Sequence, residues 1–472
     1  MKRRAVLAID QGTTGTRAIL FDEKASFLSS AYQEFTQHYP HPGWVEHNPV
    51  EIWKSTLSVI SQALKKARLH ASSLCAIGIT NQRETTILWD KATGKPVHRA
   101  IVWQDRRTAS LTSSLRKDGF EPLFRKKTGL ILDPYFSASK IHWLLQHVPG
   151  LKSKAEAGKI AFGTVDSWLL WRLTGGKSHK TDFTNASRTL LFNIRTHRWD
   201  PELLKVFRIP EALLPEAADS NAHFGETLSQ GPLTKGIPIT AIMGDQQAAL
   251  YGQACYKEGQ VKNTYGTGCF LVMNLGKKLL KPPFGLLTTL ACDEEGKSCY
   301  ALEGSIFIAG AAIQWLRDGL GFFHHARETE ELARKVPDSG GVVVIPALTG
   351  LGSPYWNPHA RGMITGLTRG TRREHIVRAT LESLAHETAD VMERMVKYSG
   401  RAVKELKVDG GATANRFLMQ FQADILNKPV LVSERAESTA WGAAKLAART
   451  VNLWPSLKAI DQKQKSRRFH PR

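Results

Sequence analysis

Three short polar runs in this chain carry side chains able to grip and deprotonate an alcohol. Gly244-Asp245-Gln246-Gln247 follows the apolar run 237–243, which places Asp245 at the carboxyl end of a strand, where α/β folds hold ligands. An Asp there can serve as a base for a hydroxyl proton or cap a helix running on from Ala248, and the acid followed by two amides favours a site. Asn81-Gln82-Arg83-Glu84-Thr85-Thr86 follows the strand-like Ile77-Gly78-Ile79-Thr80 in the same way. Arg83 can donate to one hydroxyl and Glu84 accept from two, so that a substrate lacking a hydroxyl leaves a buried charge unpaired; as a solvated pair they would contribute little. Trp103 in residues 101–107, Tyr135 in Asp133-Pro134-Tyr135-Phe136 and Phe270 could wall the carbons of a small polyol, although aromatics at such places more often fill a core.

Phosphate needs a different pattern, and two glycine turns supply it. Val6-Leu7-Ala8-Ile9-Asp10-Gln11-Gly12-Thr13-Thr14-Gly15-Thr16-Arg17 runs on into Ala18-Ile19-Leu20-Phe21, and Asn263-Thr264-Tyr265-Gly266-Thr267-Gly268-Cys269 runs on into Phe270-Leu271-Val272. Strand, polar glycine turn, strand lets backbone N–H groups close on an anion while threonine hydroxyls add uncharged donors. One such turn in each half suggests a nucleotide clamped between two domains. Asp10, opening the first turn, could hold Mg²⁺ through water or serve only as a turn residue. A third candidate, Leu406-Lys407-Val408-Asp409-Gly410-Gly411-Ala412-Thr413-Ala414-Asn415, followed by a helix over 416–426 and a strand over 429–432, reads as strand, double-glycine turn, helix, strand, and the helix N-terminus would face a nucleotide's polar atoms. A tight strand-to-helix connection explains the same residues.

The elements that must position these groups follow from periodicity. Up to about Gln253, short β-branched runs (76–80, 237–243) alternate with amphipathic stretches (49–69, 138–145), which is the pattern of α/β layers. After Tyr256-Lys257-Glu258-Gly259 the pattern restarts around the second turn, passes a helix over 308–316 and a glycine-rich apolar run over 340–345, and reaches a long helix over 374–398. The second half therefore reads as a variation on the first, with domains at 1–253 and 254–472 and a hinge near 250–260.

Composition sets the limits. The chain has 472 residues, 42% hydrophobic and 23% charged, enough for several folded domains. No apolar stretch approaches the roughly 18–20 residues of a membrane span, and the N-terminus enters a strand at once, so a cytoplasmic protein is expected. Cys75, Cys255, Cys269, Cys292 and Cys299 are scattered, not spaced as a metal knuckle, and His324-His325 has no cysteine nearby; reduced structural thiols are the expectation. The net charge of +21 could draw polyanions. Its lysines and arginines are dispersed, however, with no helix-turn-helix, zinc finger or aromatic RNA platform beside them, so a specific nucleic-acid partner is not expected.

Taken in order, these segments resemble the FGGY carbohydrate kinases from Ala5 to about Ala447. The most specific stretches are Asp10-Gln11-Gly12-Thr13-Thr14, Pro42-Gly43-Trp44-Val45-Glu46-His47, residues 80–86, Trp103-Gln104-Asp105-Arg106-Arg107, residues 244–250, 264–270 and 346–371. The resemblance implies an actin-like fold, two ribonuclease-H-like α/β domains flanking a nucleotide cleft that closes on MgATP. It implies transfer of the γ-phosphoryl group to a terminal hydroxyl of glycerol, giving sn-glycerol 3-phosphate. By the matching motifs Asp245 is the base and shares the metal with Asp10. Arg83, Glu84, Tyr135 and Gln246 are the hydroxyl grips, with Trp103 and Phe270 as the apolar wall. Thr13, Thr14, Gly15 and Arg17 match the first phosphate turn, Thr267 the second, Gly310 and Gln314 the nucleotide helix, and Gly411 and Asn415 the adenosine turn. A homo-oligomer is a family expectation.

Three departures stand out. Gly15-Thr16 replaces a serine pair common in the family, which removes one hydroxyl and leaves the N–H groups. Residues 229–236 are shorter and differently composed than the loop that binds fructose 1,6-bisphosphate in some bacterial members, so that regulation is not inferred. The chain closes on Arg468-Phe469-His470-Pro471-Arg472, about where the family adds a last helix. The competing readings are an FGGY kinase for a pentulose or gluconate, which would keep the turns and change the pocket, and an actin-fold ATPase that phosphorylates no metabolite.

Overall fold

In the computed structural model the described residues are 3–281, 284–357, 359–434 and 437–472. Pro358, inside the 346–371 motif, lies outside them. The chain forms two compact units: the first contains Met1–Ala254, Thr289–Tyr300 and Thr439–Asp461, the second Cys255–Thr288, Ala301–Ser438 and Gln462–Arg472. These units are discontinuous in sequence, the first taking in segments from the second half of the chain. The return at Thr439–Asp461 is made by a helix whose apolar face is buried in the first unit, which no local pattern announces.

The first unit is built on β1 (Ala5–Gln11), β2 (Gly15–Asp22), β3 (Phe27–Glu34), β4 (Leu74–Asn81) and β5 (Pro238–Gly244). They lie side by side as β5-β4-β1-β2-β3. Strand β1 is antiparallel to β2 and parallel to β4, β4 is parallel to β5, and β2 is antiparallel to β3. The parallel strands end side by side at Gln11, Asn81 and Gly244, so Arg83 and Asp245 leave the sheet at one edge. Strands buried on both faces need continuous apolar runs, and Val6, Leu7, Ala8 and Ile9 are all fully buried.

The helix Pro49–Ala67 shows why the local sequence suffices for a single element. Asn48 caps it by accepting the N–H of Val50, Pro49 occupies the first position, Glu51 sits in the first turn and Lys65 and Lys66 in the last. Its buried face, Ile52, Trp53, Thr56, Val59, Ile60 and Ala63, packs on β2 and β3. The helix Ser438–Thr450 joins this unit from far along the chain: Ala440, Trp441, Ala443, Ala444 and Ala447 are buried, and the Thr240 hydroxyl donates to the Ala447 carbonyl at 3.2 Å.

The second unit repeats the order. Strands β6 (Val261–Tyr265), β7 (Cys269–Gly276), β8 (Ser298–Ile306), β9 (Leu406–Asp409) and β10 (Val430–Ser433) lie as β8-β7-β6-β9-β10. Again the first two strands form an antiparallel hairpin, and the first is parallel to the fourth. The expected helices appear at Gly310–Asp318 and Arg373–Ser399, and the run 340–345 contains the strand Val343–Ile345. Residues Ser466–Phe469 form a strand antiparallel to β10. All five cysteines are free thiols, and four of them are buried.

On the long helix, Glu387 has an Oε2 atom that is buried without a hydrogen-bond partner. Burial, with the Asp390 charge adding to it, pushes the carboxyl up to about 8. An unfolded glutamate titrates near 4.3. Folding therefore takes up a proton between those values, and this contribution to stability is present at low pH and lost as pH rises toward 8. Glu387→Gln is expected to raise the urea midpoint at pH 8.5, by on the order of 1–2 kcal/mol of stability, and to change it little at pH 4.5. Equal effects at both pH values would show that the carboxyl titrates normally.

Candidate active site

The first turn is a hairpin connection in which Asp10 and Arg17 lie directly opposite each other. The Gly12 N–H donates to the Gly15 carbonyl at 2.9 Å, closing the turn. Thr14 is exposed and Thr13 half-buried. Glycine at 15 is a steric requirement, since a Cβ there would lie 2.6 Å from the Tyr32 hydroxyl and 2.7 Å from the Gln33 carbonyl. That hydroxyl is 3.3 Å from Thr14 Oγ1, and the Arg17 guanidinium lies 5.1 Å from the Tyr32 ring centre.

The Asp10 carboxyl is pushed up to about 7, first by burial and then by the negative charge of Asp245, against the opposing pull of Arg17. Two carboxylates that raise each other's cost of ionisation suit a divalent cation arriving with phosphates, because Mg²⁺ takes one or two carboxylates and keeps much of its water. Among the described residues no group of three or more His, Cys, Asp or Glu side chains could hold a metal by itself.

Asp245 opens the helix Asp245–Gly252, whose cap is Gly244. It is the first helical residue, not the cap, and its Oδ1 accepts the Gln246 N–H at 2.7 Å. Its side chain is 30% exposed, so a substrate can reach it, whereas Arg83, with its Nε 3.3 Å from Asp245 Oδ1, is buried. Arg83 also donates to Gln247 Oε1 at 3.2 Å. Beside it Glu84 holds a left-handed backbone, φ +62°, rare for a side chain of its size. Glu84 Oε1 accepts from Arg188 Nε at 2.6 Å and lies 3.8 Å from Arg83 Nε. Arg83, Glu84 and Arg188 therefore form a buried charged cluster and not the solvated pair that the plainer sequence reading allowed.

The aromatic wall is tied to both groups. Trp103 Nε1 donates to Thr13 Oγ1 at 2.9 Å, which links it to the phosphate turn, and its ring meets Tyr135 edge-on with centres 5.6 Å apart. Tyr135 also lies under the Arg188 guanidinium, 5.5 Å from ring centre to carbon. Its loop is held by Lys140, a fully buried ammonium that donates to the carbonyls of Tyr135 at 2.6 Å and Phe136 at 3.2 Å. Burial lowers the Lys140 ammonium to about 7 against the pull of Glu84, Asp105 and Asp133. Lys140→Met leaves two carbonyls without their donor, and the expected result is a rise of about tenfold in KM for the hydroxyl substrate, with the nucleotide KM little changed. Parallel rises in both constants would indicate general loosening instead.

Gln246 is buried beside Asp245 in the same helix. The remaining predicted residues belong to the second unit. The Gly266 N–H closes that turn on the Gly268 carbonyl at 2.9 Å, leaving Thr267 exposed at its tip and Phe270 half-buried just beyond. The helix Gly310–Asp318 starts against this turn, with N–H groups of Ala309 and Ala311 on the Thr267 carbonyl and that of Gly310 on Gly266. Gly310 has to be a glycine, as a Cβ would lie 2.6 Å from the Gly266 oxygen. Gln314 is exposed on that helix. At the third turn the helix starts at Arg416, as read from the sequence, a few residues beyond the paired glycines. A 3-10 turn, Gly411–Ala414, intervenes, and the helix Arg416–Leu426 is capped by Asn415, whose Oδ1 accepts the Leu418 N–H. Glycine is a poor helix residue and asparagine a good cap, which is why the helix begins after Asn415 and not at the glycines. The Asn415 amide also donates to Thr329 Oγ1 at 3.1 Å, which leaves it part of its donor capacity for a ligand.

Arg188 and Lys140 were not among the sequence candidates. Arg188 sits alone between Asn185-Ala186-Ser187 and Thr189-Leu190-Leu191-Phe192, and a single cation inside such an uncharged run is the signal that could have marked it.

Comparison with known proteins assigns the chain to a family. Residues 5–252 match the N-terminal domain and residues 261–451 the C-terminal domain described as the FGGY family of carbohydrate kinases. A glycerol kinase of Alkalilimnicola ehrlichii is 58% identical over 450 residues, 95% of this chain and 91% of its own. Glycerol kinase 2 of Thermotoga maritima is 56% identical over 467 residues, 99% of this chain and 94% of its own. The crystal structure of Plasmodium falciparum glycerol kinase with ADP superposes with a TM-score of 0.92 at 38% identity, covering 100% of this chain and 94% of that one.

Proposed function

We propose, from the fact that this chain belongs to the FGGY family of carbohydrate kinases, that it phosphorylates glycerol with ATP, giving sn-glycerol 3-phosphate. The chain is an ATP-dependent phosphotransferase with an alcohol as acceptor. The observation that carries the choice of glycerol is the buried Arg83–Glu84–Arg188 cluster joined to the Trp103–Tyr135 wall, in a chain 53–58% identical to proteins named glycerol kinase. Arg83 donates to one hydroxyl, Glu84, Gln246 and the Tyr135 hydroxyl take up the others, and Trp103 and Phe270 cover the carbons. Asp245 accepts the proton of the terminal hydroxyl as its oxygen bonds to the γ-phosphorus and the bond to the β,γ-bridging oxygen breaks, leaving ADP.

Thr13, Thr14, Gly15 and Arg17 hold phosphate oxygens on the first unit. On the second, Thr267 offers a further phosphate contact, Gly310 and Gln314 line the nucleotide, and Gly411 and Asn415 receive its adenosine end. Asp10 and Asp245 would hold Mg²⁺, which supplies charge neutralisation on the phosphates. No helix among the described residues is long and apolar enough to cross a membrane, and the protein works in the cytoplasm, where its ATP is made. The test is ATP consumption by the purified chain with Mg²⁺ and glycerol, dihydroxyacetone, xylulose or gluconate. Turnover concentrated on glycerol supports the reading; turnover confined to a larger sugar replaces it.

A further inference from the structure

The motif Pro42-Gly43-Trp44-Val45-Glu46-His47 has no part in the mechanism above, yet its last residue reaches the back of the first phosphate turn. His47 is fully buried, and the two-residue strands Gln37–His38 and Glu46–His47 place Gln37 and His47 directly opposite each other. Gln37 Nε2 donates to the Thr13 carbonyl at 3.0 Å and to the Phe35 carbonyl at 3.3 Å. That orientation turns Gln37 Oε1 toward His47 Nε2, 2.7 Å away. An amide oxygen can only accept, so Nε2 carries the imidazole proton and Nδ1 is left as an acceptor. Gln82 Nε2 donates its two hydrogens to the Gly12 carbonyl at 3.0 Å and Gln11 Oε1 at 3.1 Å, and lies 3.4 Å from His47 Nδ1, a longer contact that shares one of them. Burial, with a smaller push from His38, lowers the His47 ring to about 3, which keeps it neutral and suited to this one-donor, one-acceptor role. The Phe35 ring, edge-on at 5.0 Å between centres, fixes the imidazole plane.

The effect on the turn is directional. The Gly12 carbonyl takes two amide donors, Gln11 Nε2 at 2.8 Å and Gln82 Nε2; the Thr13 carbonyl takes Gln37, and the Thr14 carbonyl takes the Phe35 N–H at 3.4 Å. Among the described residues, no acceptor takes the N–H of Thr13 or Thr14. Carbonyls anchored on one side leave these N–H groups for an anion on the other.

We infer that His47 is a positioning residue for phosphate binding: through Gln37 and Gln82 it holds the Gly12 and Thr13 carbonyls away from the ligand, so that the Thr13 and Thr14 N–H groups face the phosphates of a nucleotide. The inference rests on the kinase reading for its substrate and on the network alone for its geometry.

The test compares Gln37→Met, Gln82→Met, His47→Leu and the conservative His47→Gln in the full chain. ATP binding is read by calorimetry without an acceptor, KM for ATP and for glycerol by steady-state kinetics, and folding by thermal melting. Gln37→Met is expected to weaken ATP about tenfold and leave the glycerol KM within about twofold. Adding Gln37→Met to His47→Leu should weaken ATP no further, because the two act through one chain of bonds, and His47→Gln should recover part of the loss. Unchanged ATP binding in Gln37→Met overturns the inference even if His47→Leu does not fold, as do parallel rises in both KM values with a lowered melting temperature. A wild-type chain that binds ATP and ignores glycerol would overturn the acceptor reading while leaving the calorimetric comparison decisive.

Discussion

Asp245→Asn is expected to lower kcat for glycerol phosphorylation by about 10²–10⁴-fold, the range for loss of a positioned general base. The substitution keeps the shape of the side chain and an oxygen able to accept from Arg83, whose Nε lies 3.3 Å from the carboxylate. Arg83 and Glu84 keep their buried positions, so the glycerol KM should move far less than kcat; that split separates loss of the base from loss of the grip. Asp245 also contributes negative charge beside Asp10, so its removal lets Asp10 ionise more readily. The measurement is therefore made across a Mg²⁺ titration. A kcat restored by high Mg²⁺ would assign Asp245 to holding the metal, and a kcat within about threefold of wild type would remove it from the chemistry.

Arg188→Leu has the second large expected effect, and here it falls on folding as well as on substrate. Arg188 and Glu84 are 0% and 2% exposed and 2.6 Å apart, so the truncated partner leaves a carboxylate in the interior with Arg83 Nε 3.8 Å away. Breaking such a buried pair by removing one member costs about 3–5 kcal/mol, whereas removing both with apolar groups is often close to neutral. The urea midpoint should fall sharply in Arg188→Leu and recover in large part in Glu84→Leu/Arg188→Leu, a variant expected to lose glycerol binding. Arg188→Lys should fall between, because a lysine keeps the charge without the planar fork that reaches Glu84 and lies over Tyr135 and Phe136. A double variant as unstable as the single one would show that Arg188 acts by packing and not by charge.

Both effects lie in residues of very different visibility. Asp245 could be read from the chain because its position follows from a short-range rule: an apolar strand, then a polar residue at the strand's carboxyl end. The two hairpin turns were visible for the same reason, as were the helices Pro49–Ala67 and Arg373–Ser399, whose caps and apolar periodicity are local. The helix Arg416–Leu426 was legible as well, its start fixed by the Asn415 cap; the 3-10 turn Gly411–Ala414 between the paired glycines and that cap was not.

What sequence alone determined, then, is the set of strand-turn units, their repetition in each half, and the residue types gathered at the strand ends. Tertiary structure decided who partners whom. Arg188 meets Glu84 across 104 positions, Gln82 meets His47 across 35 and Trp103 meets Thr13 across 90. The return of Thr439–Asp461 to the first unit was decided there too. Backbone propensity and alternation act over a few residues and so are written locally. Burial of a charge, the tautomer of an imidazole and the seating of a helix depend on what the fold brings from elsewhere, and those contacts have no local signature.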